Sequence, residues 1–364
     1  MMRPSVVAAV FVLAAGCAPL AGAMEPWKLI ADTRRSTPQP PWPAGDERGM
    51  ANQIGPATWA RCAWHLGQSG ARAYELSHLR SNTMPLSAFS GPYELRPKAS
   101  AGLPGTRHGF NGETFNEGAE PAAQATQMDA LGHFAALPQA WDGKAPFPAG
   151  ELRYYGDYTQ SEVKPSAGAP LARLGMEKAP PIITSAVLLD AKAGVGGGAP
   201  MKAGQLVTRK DIEAMLKAQG LGKRGIQYGD VVYVRTGWGE QHWRDPDTAK
   251  LYYANAPGLA YDAAQYLGER RAVAVGLDTP FIDPVPEGML MGKSGPAEGT
   301  PPGLPFAVHH HLLTQMGIHH IENAKLDELA DDKVWTSCTM ILPLRDKGAA
   351  GSPVRPVAIG LPRQ

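Results

Sequence analysis

A chain of 364 residues with 43% hydrophobic and 19% charged residues is long enough for a sizeable core and has the composition of an ordinary globular protein. Its formal net charge of +1 gives no electrostatic footprint for nucleic acid or for an anionic membrane, so a small molecule is the expected partner. One large domain with an irregular N-terminal part is the expected organisation.

Residues 1–23 read as an export signal rather than as part of the fold. Arg3 gives a minimal positive start, and Val6 to Ala15 form an apolar run too short to span a bilayer comfortably. Two endings compete. Ala14-Ala15-Gly16-Cys17 reads as a lipobox with Cys17 to be lipidated, and Ala21-Gly22-Ala23 as an A-x-A cleavage site. Either one implies an exported, periplasmic protein whose only membrane contact would be a lipid on Cys17. No later run approaches the ~18 apolar residues of a transmembrane helix. Setting Cys17 aside leaves Cys62 and Cys338, which could pair in an oxidising compartment but make no disulfide framework and fit no zinc ribbon. A nucleophilic Cys338 is the lesser reading, since free cysteines are more often small buried hydrophobes.

Residues 24–120 are expected to be a Pro- and Trp-rich segment packed on a main domain spanning 121–364. Pro56 suits the first turn of a helix running to Gly67. Lys98 to Glu120 read as a loop that delivers the chain to Gln124-Ala125-Thr126-Gln127-Met128-Asp129-Ala130-Leu131-Gly132-His133-Phe134. That stretch sets an amide, a carboxylate and an imidazole in an apolar frame, which desolvates them. On an extended segment Gln127 and Asp129 share a face, and Gly132 lets the chain turn so that His133 approaches from the side. Tyr154 to Tyr158 form an aromatic loop that either walls a pocket or simply packs.

Ile182 to Leu189 suit a buried strand ending at Asp190. Gly194 to Gly198 lack the Gly-Lys-Ser/Thr of a phosphate loop. Thr208 caps a helix with Ile212, Met215 and Leu216 on its apolar side and Gly220 at its end. Val231 to Val234 form a strand, Pro257-Gly258 open a second helix carrying Leu259, Ala263, Tyr266 and Leu267, and Ala272 to Gly276 form another strand. Strands alternating with helices imply parallel crossovers and an α/β class. Near the end, His309, His310, His311, His319 and His320 crowd one window. There Val308 to Met316 read as a helix ended by Gly317, and Ile318 to Ile321 as a strand leading to Glu322.

The frame from Ala123 to His133 resembles the signature of the cyclase family of metal-dependent hydrolases, which includes bacterial kynurenine formamidase and isatin hydrolase and is written His-x-Gly-Thr-His-x-Asp-x-Pro-x-His. Thr126, Asp129 and His133 match. Ala123 and Gln127 stand where the family has histidines, and Ala125 and Leu131 where it has glycine and proline. Asp46 to Ile54, Arg235-Thr236-Gly237-Trp238, Gly276-Leu277-Asp278-Thr279, the histidine before Leu312-Leu313 with Gly317 and Glu322-Asn323, and Pro343 to Ile359 also resemble family patterns.

The resemblance implies a layered α/β fold of the swivelling β/β/α kind with a mixed sheet, often a homo-oligomer whose neighbours help close the site. It implies a metal shell of Gln127, Asp129, His309 and Glu322, with His311 as the alternative register to His309, and a proton-shuttling His133. His108 and Glu113 are candidate substitutes for the missing imidazoles. His319 and His320 match no motif and read as exposed or satisfied. Exchanging imidazoles for an amide oxygen weakens zinc and favours manganese or magnesium. One weakly held divalent ion, manganese or zinc, is expected. The leading reading is a hydrolase of a non-peptide amide or lactam C–N bond, arylformamidase-like. The others are a metal-free lyase or isomerase using His133, Asp129 and Glu322, and an exported binding protein that has lost catalysis.

Overall fold

The computed structural model describes residues 42–87, 89, 91–117, 124–245 and 247–363; the export signal, Cys17 and Ala123 lie outside them. Helix α1 (Pro56–Leu66) leads to an outer strand, β1 (Arg72–Glu75). Two antiparallel ribbons follow, β2 (Glu94–Pro97) with β5 (Glu113–Asn116), and β3 (Ala101–Gly102) with β4 (Gly109–Phe110). Short strands thus interrupt the stretch expected to be a plain loop, and His108 and Glu113 are exposed and do not line the central cavity, which removes both as substitute ligands.

The chain then runs through β6 (Gln127–Asp129), β7 (Ile182–Asp190), β8 (Leu206–Val207), α2 (Arg209–Ala218), β9 (Val231–Arg235), β10 (Gly258–Leu259), α3 (Tyr261–Glu269) and β11 (Ala274–Leu277). Next comes α4, an α-turn at Ala307–His309 that widens into a π-helix at His310–Met316. The last strands are β12 (His319–Glu322), β13 (Thr336–Ile341), β14 (Gly351–Pro353) and β15 (Val357–Gly360). Nine strands join in the order β1-β15-β13-β7-β9-β11-β12-β6-β14. The stretch β7-β9-β11-β12 is parallel, and the remaining pairs are antiparallel.

The continuous apolar runs of β7 and β9 follow from a sheet covered on both faces. Val187, Leu189, Val232 and Val234 pack with Ile212, Met215, Ala263 and Leu267 of the helices, while Ala186, Leu188, Val231 and Tyr233 pack with Leu76, Met128 and Ile321. Each such side chain contributes roughly 1.5–3 kcal/mol of burial. Helix α2 starts as the sequence predicts: Asp211 N–H donates to Thr208 Oγ1 (3.2 Å), and Thr208 N–H donates back to Asp211 Oδ2 (2.9 Å).

The second helix is shorter than expected. Gly258 and Leu259 form a strand paired with β8, because the N–H groups of Gly258 and Ala260 go to the Gln205 and Val207 carbonyls; the helix begins only at Tyr261. Cys62 on α1 and Cys338 on β13 are disulfide-bonded, with Cα atoms 4.4 Å apart, so Cys338 is not a nucleophile. Beside them Arg61 Nε donates to Ser185 Oγ (2.7 Å), which fixes α1 to the sheet.

Tyr154, Tyr155 and Tyr158 pack against Leu131, Leu171, Leu174 and Leu313, and Tyr155 Oη donates to Asp46 Oδ2 (2.8 Å). The loop packs on the domain and also lines a separate cavity of about 500 Å³ with Trp42 and Met50, but it is no wall of the central cavity. Gly49 is obligatory here: its φ is +54°, and a Cβ would lie 2.1 Å from the Gly317 carbonyl oxygen, which accepts Met50 N–H at 2.7 Å. The N-terminal segment thereby closes onto the end of α4. Among the described residues no helix is long and apolar enough to cross a membrane.

Candidate active site and metal centre

Two neighbouring strands and one helix start converge on a cavity of about 750 Å³. In the antiparallel pair of β6 and β12, Gln127 lies opposite Glu322 and Met128 opposite Ile321. Side chains two apart on a strand share a face. The same face therefore receives Gln127 and Asp129 from β6 and His320 and Glu322 from β12. The strand is held in register by Asn323, whose Nδ2 donates to the Ala125 carbonyl (2.7 Å) and whose own carbonyl accepts Thr126 Oγ1 (2.6 Å). Ala125 takes a positive φ of 62° at this entry, a strained conformation for a residue with a Cβ, and its N–H is caught by Tyr253 Oη at 3.2 Å.

Helix α4 supplies His309. Asp283 accepts the N–H groups of Val308 (2.7 Å) and His309 (3.0 Å) at the helix start and also takes the His309 Nδ1 proton at 2.6 Å. That bond fixes the tautomer and points Nε2 into the cavity, 3.4 Å from Glu322 Oε1 and 3.8 Å from Asp129 Oδ2. His320 Nδ1 is also 3.8 Å from Asp129 Oδ2. The chain turns after β6, and Gly132 lets it pack close there, since a Cβ would lie 2.8 Å from Leu171 Cδ1; the turn itself needs no left-handed φ at this residue. His133 then stands exposed beside the cavity with its ring 6.4 Å from that of His309.

The four buried groups do not satisfy one another. Gln127 Nε2 donates to Glu322 Oε2 (2.9 Å), and Ile282 N–H donates to Glu322 Oε1 (3.2 Å). Asp129 Oδ2, Gln127 Oε1 and both ring nitrogens of His320 have no hydrogen-bond partner. An unmet buried polar group costs about 1–3 kcal/mol, so three such side chains together point to a ligand that each can meet with one atom. Asp129, His309 and His320 each offer one ligand atom, and these lie within 4.8 Å of one another, a set that fits one divalent ion.

The electrostatics agree for Glu322 and His320, while His309 would have to give up a proton to bind an ion. Burial, then repulsion from Asp129, raises the Glu322 carboxyl, against the pull of His309. Burial opposes a charge on His309, but its hydrogen bonds to Asp283 and Glu322 outweigh it and raise its pKa. Burial, followed by the positive field of His309 and the neighbouring imidazoles, holds His320 well below its ordinary value. A neutral imidazole has the lone pair that a metal needs.

Of the predicted residues, Gln127, Asp129, His133, His309 and Glu322 all line the one cavity. His311 does not: its Nδ1 pairs with Gln315 Oε1 (2.7 Å) and its ring lies edge-on to Tyr261, which removes the alternative register. His319 and His320 are buried, not exposed. His319 Nδ1 donates to the Asp129 carbonyl (2.9 Å), whereas His320 is unsatisfied and faces the site. Sequence reasoning missed His320 and Asp283. The signal for His320 was available, since it stands two before Glu322 on a strand, as Gln127 stands two before Asp129. Asp283 belongs to a loop, and its approach to α4 has no local signature.

Residues 74–284 match the family profile described as putative cyclase. The chain belongs to the cyclase family. Over 101 residues this cyclase-family chain is 34% identical to kynurenine formamidase of Bacillus thuringiensis (strain Al Hakam), covering 28% of the chain and 39% of that relative. It is 33% identical over 101 residues to kynurenine formamidase of Bacillus mycoides (strain KBAB4). The match thus spans about two fifths of the curated relatives' length, 39%. Among solved structures, a novel cyclase aligns with a TM-score of 0.68 at 24% identity, covering 87% of this chain and 95% of that one. Isatin hydrolase A from Ralstonia solanacearum aligns with a TM-score of 0.51 at 20% identity, covering 84% and 98%. These likenesses establish that the cyclase fold is shared.

Because Asp283 orients His309, Asp283→Asn in this family member should weaken manganese or zinc binding about 10- to 100-fold. The lost charge acts on the imidazole, and the single amide oxygen of an asparagine keeps only one side of the pair, since Val308 N–H goes to Oδ1 and His309 N–H and Nδ1 to Oδ2. Calorimetric titration of the stripped protein measures the change, and an unchanged affinity would show that His309 needs no orienting partner.

Proposed function

We propose that this protein is a metal-dependent hydrolase of a non-peptide amide or lactam C–N bond, arylformamidase-like in class, acting on an aromatic substrate. The observation that carries the reading is the buried set of Asp129, His309 and His320, in which Asp129 Oδ2 and the His320 ring nitrogens have no partner, with Gln127 and Glu322 beside it, inside a cavity walled by phenylalanines. Asp129, His309 and His320 would hold a divalent ion, manganese or zinc. Bound there, such an ion polarises a carbonyl oxygen and acidifies water toward neutrality.

The protein's own groups do the rest. Phe134 and Phe306 lie against the His309 ring at 5.2 and 6.0 Å and orient an aryl group beside the ligands. His133, on the solvent side, accepts the proton of the attacking water on a ring nitrogen and returns it to the leaving nitrogen as the C–N bond breaks. Gln127 Nε2 and Ile282 N–H hold Glu322 in place through its two oxygens. Water is consumed, and a carboxylic acid and an amine leave.

The relatives' names support an amide or lactam as substrate. The first 23 residues and the Cys62–Cys338 disulfide support an exported, periplasmic protein, since such bonds persist in oxidising compartments. Family likeness supports a homo-oligomer. The test is hydrolysis of formanilides and of a benzo-fused lactam by protein stripped with a chelator and then reloaded with manganese or zinc. Turnover lost on stripping and regained on reloading is expected. Turnover indifferent to the chelator would overturn the metal role, and none on any amide or lactam would overturn the hydrolase reading.

A further inference from the structure

Resting on that reading, the walls of the cavity say more about the substrate than that it is aromatic. Phe89, half-exposed at the mouth, contacts Phe281 edge-on at 6.2 Å; Phe281 contacts Phe306 at 6.3 Å, and Phe306 contacts Phe134 at 6.4 Å. Phe134 reaches His309. This is one continuous aromatic wall from solvent to the ligand set. The faces of such rings carry negative potential and attract cations as well as apolar groups.

The ionisable groups around the same cavity are of one sign apart from the two histidines. Asp129 and Glu322 sit at its base, Glu117 and Asp346 nearer the outside, and among the described lining residues there is no lysine or arginine. The two deep carboxylates would be matched by the divalent ion proposed above. Glu117 is paired with Arg80, whose nitrogen lies 2.9 Å away. Asp346 is left over: it is exposed and forms no ion pair or side-chain hydrogen bond among the described residues. Its chain neighbours Arg345 and Lys347 do not line the cavity. Among the described residues, a substrate entering along the phenylalanine wall therefore meets the Asp346 carboxylate, a π surface and no lysine or arginine to receive an anion.

We infer that the substrate is an aryl amide or lactam whose ring carries a protonated amine and no carboxylate, the ammonium being received by Asp346 and the phenylalanine wall of the same cavity. An exposed pair at about 4 Å is worth roughly 1 kcal/mol in water, which is about 5-fold in affinity, and more where the aromatic wall excludes solvent.

The test uses the full, manganese-loaded protein and three ortho-substituted probes, aminoethyl, ethyl and carboxymethyl formanilide, with the matching anilines as product analogues. The aminoethyl probe should exceed the carboxymethyl probe in kcat/KM by about 10-fold or more, with the ethyl probe between. Asp346→Lys should reverse that order, and raised salt should compress it. Equal kcat/KM values, or an order that Asp346→Lys leaves unchanged, would overturn the inference while leaving the hydrolase reading intact. If no probe is hydrolysed, the hydrolase reading fails instead. Calorimetric binding of the three anilines then still decides on the ammonium: tighter aminoethyl aniline, weakened by Asp346→Lys, supports it, and indifference overturns it.

Discussion

Asp129→Ala is expected to abolish the bound divalent ion and to lower amide hydrolysis by about 1000-fold or more, the scale of a Lewis acid worth several kcal/mol. His320→Leu should do the same to metal content although it leaves the carboxylates untouched. Ordinarily a substitution at a fully buried position threatens the fold, and loss of activity then says little. Here the sign of the stability change separates the explanations. Asp129 Oδ2 and both His320 nitrogens are buried without partners, and Asp129 repels Glu322. Removing either side chain from the metal-free protein takes away an unmet polar group, so the stripped variants should melt at or above the stripped parent. The loaded parent should melt higher than all of them, by an increment that manganese or zinc adds to it alone. Elemental analysis beside thermal melting in the presence and absence of chelator reads both. Stoichiometric metal in either variant would remove that residue from the ligand set. Stripped variants that melt far below the stripped parent would mean that the side chains have structural partners after all.

What the sequence disclosed and what it withheld divide along the range of the interactions. Strands β7 and β9 were legible because a sheet covered on both faces demands uninterrupted apolar runs, and α2 because Thr208 and Asp211 form a cap within four residues. Gln127 and Asp129 were legible because the period of a strand is fixed by its geometry. The same geometry places His320 with Glu322, but the family pattern of a histidine before Leu312-Leu313 drew the ligand assignment to His309, and His320 matches no such pattern. Leu259 misled for another reason. Its amphipathic pattern with Ala263 and Tyr266 is genuine, yet the N–H of Gly258 is already engaged by the Gln205 carbonyl, a contact with no trace in local sequence. The aromatic loop at Tyr154 shows the limit of composition as a guide. Three tyrosines pack as core because Leu131 and Leu313 need covering, while the cavity takes its wall from Phe89, Phe281 and Phe306, which no single window contains.

The Cys62–Cys338 bond is the strongest long-range constraint visible among the described residues. It joins positions 276 apart, so it closes nearly the whole domain into one loop. In the chain-entropy account a loop of that size restricts the unfolded chain by about 5 kcal/mol, an upper figure because real denatured chains are already compact. Replacing both cysteines by alanine should therefore lower the urea midpoint substantially and the melting temperature by roughly 5 °C, given the size of the protein. Neither cysteine lines the cavity, so hydrolysis per folded molecule should be unaffected. α1 should stay docked because Arg61 still reaches Ser185 and the Tyr228 carbonyl. The reduced wild-type protein should match the double variant to within the cost of two buried thiols. A variant that melts with the parent would mean that the denatured chain gains nothing from the bond. A variant that loses catalysis while folded would mean that α1 and β13 transmit their position to β6 and β12 through the intervening strands β7, β9 and β11.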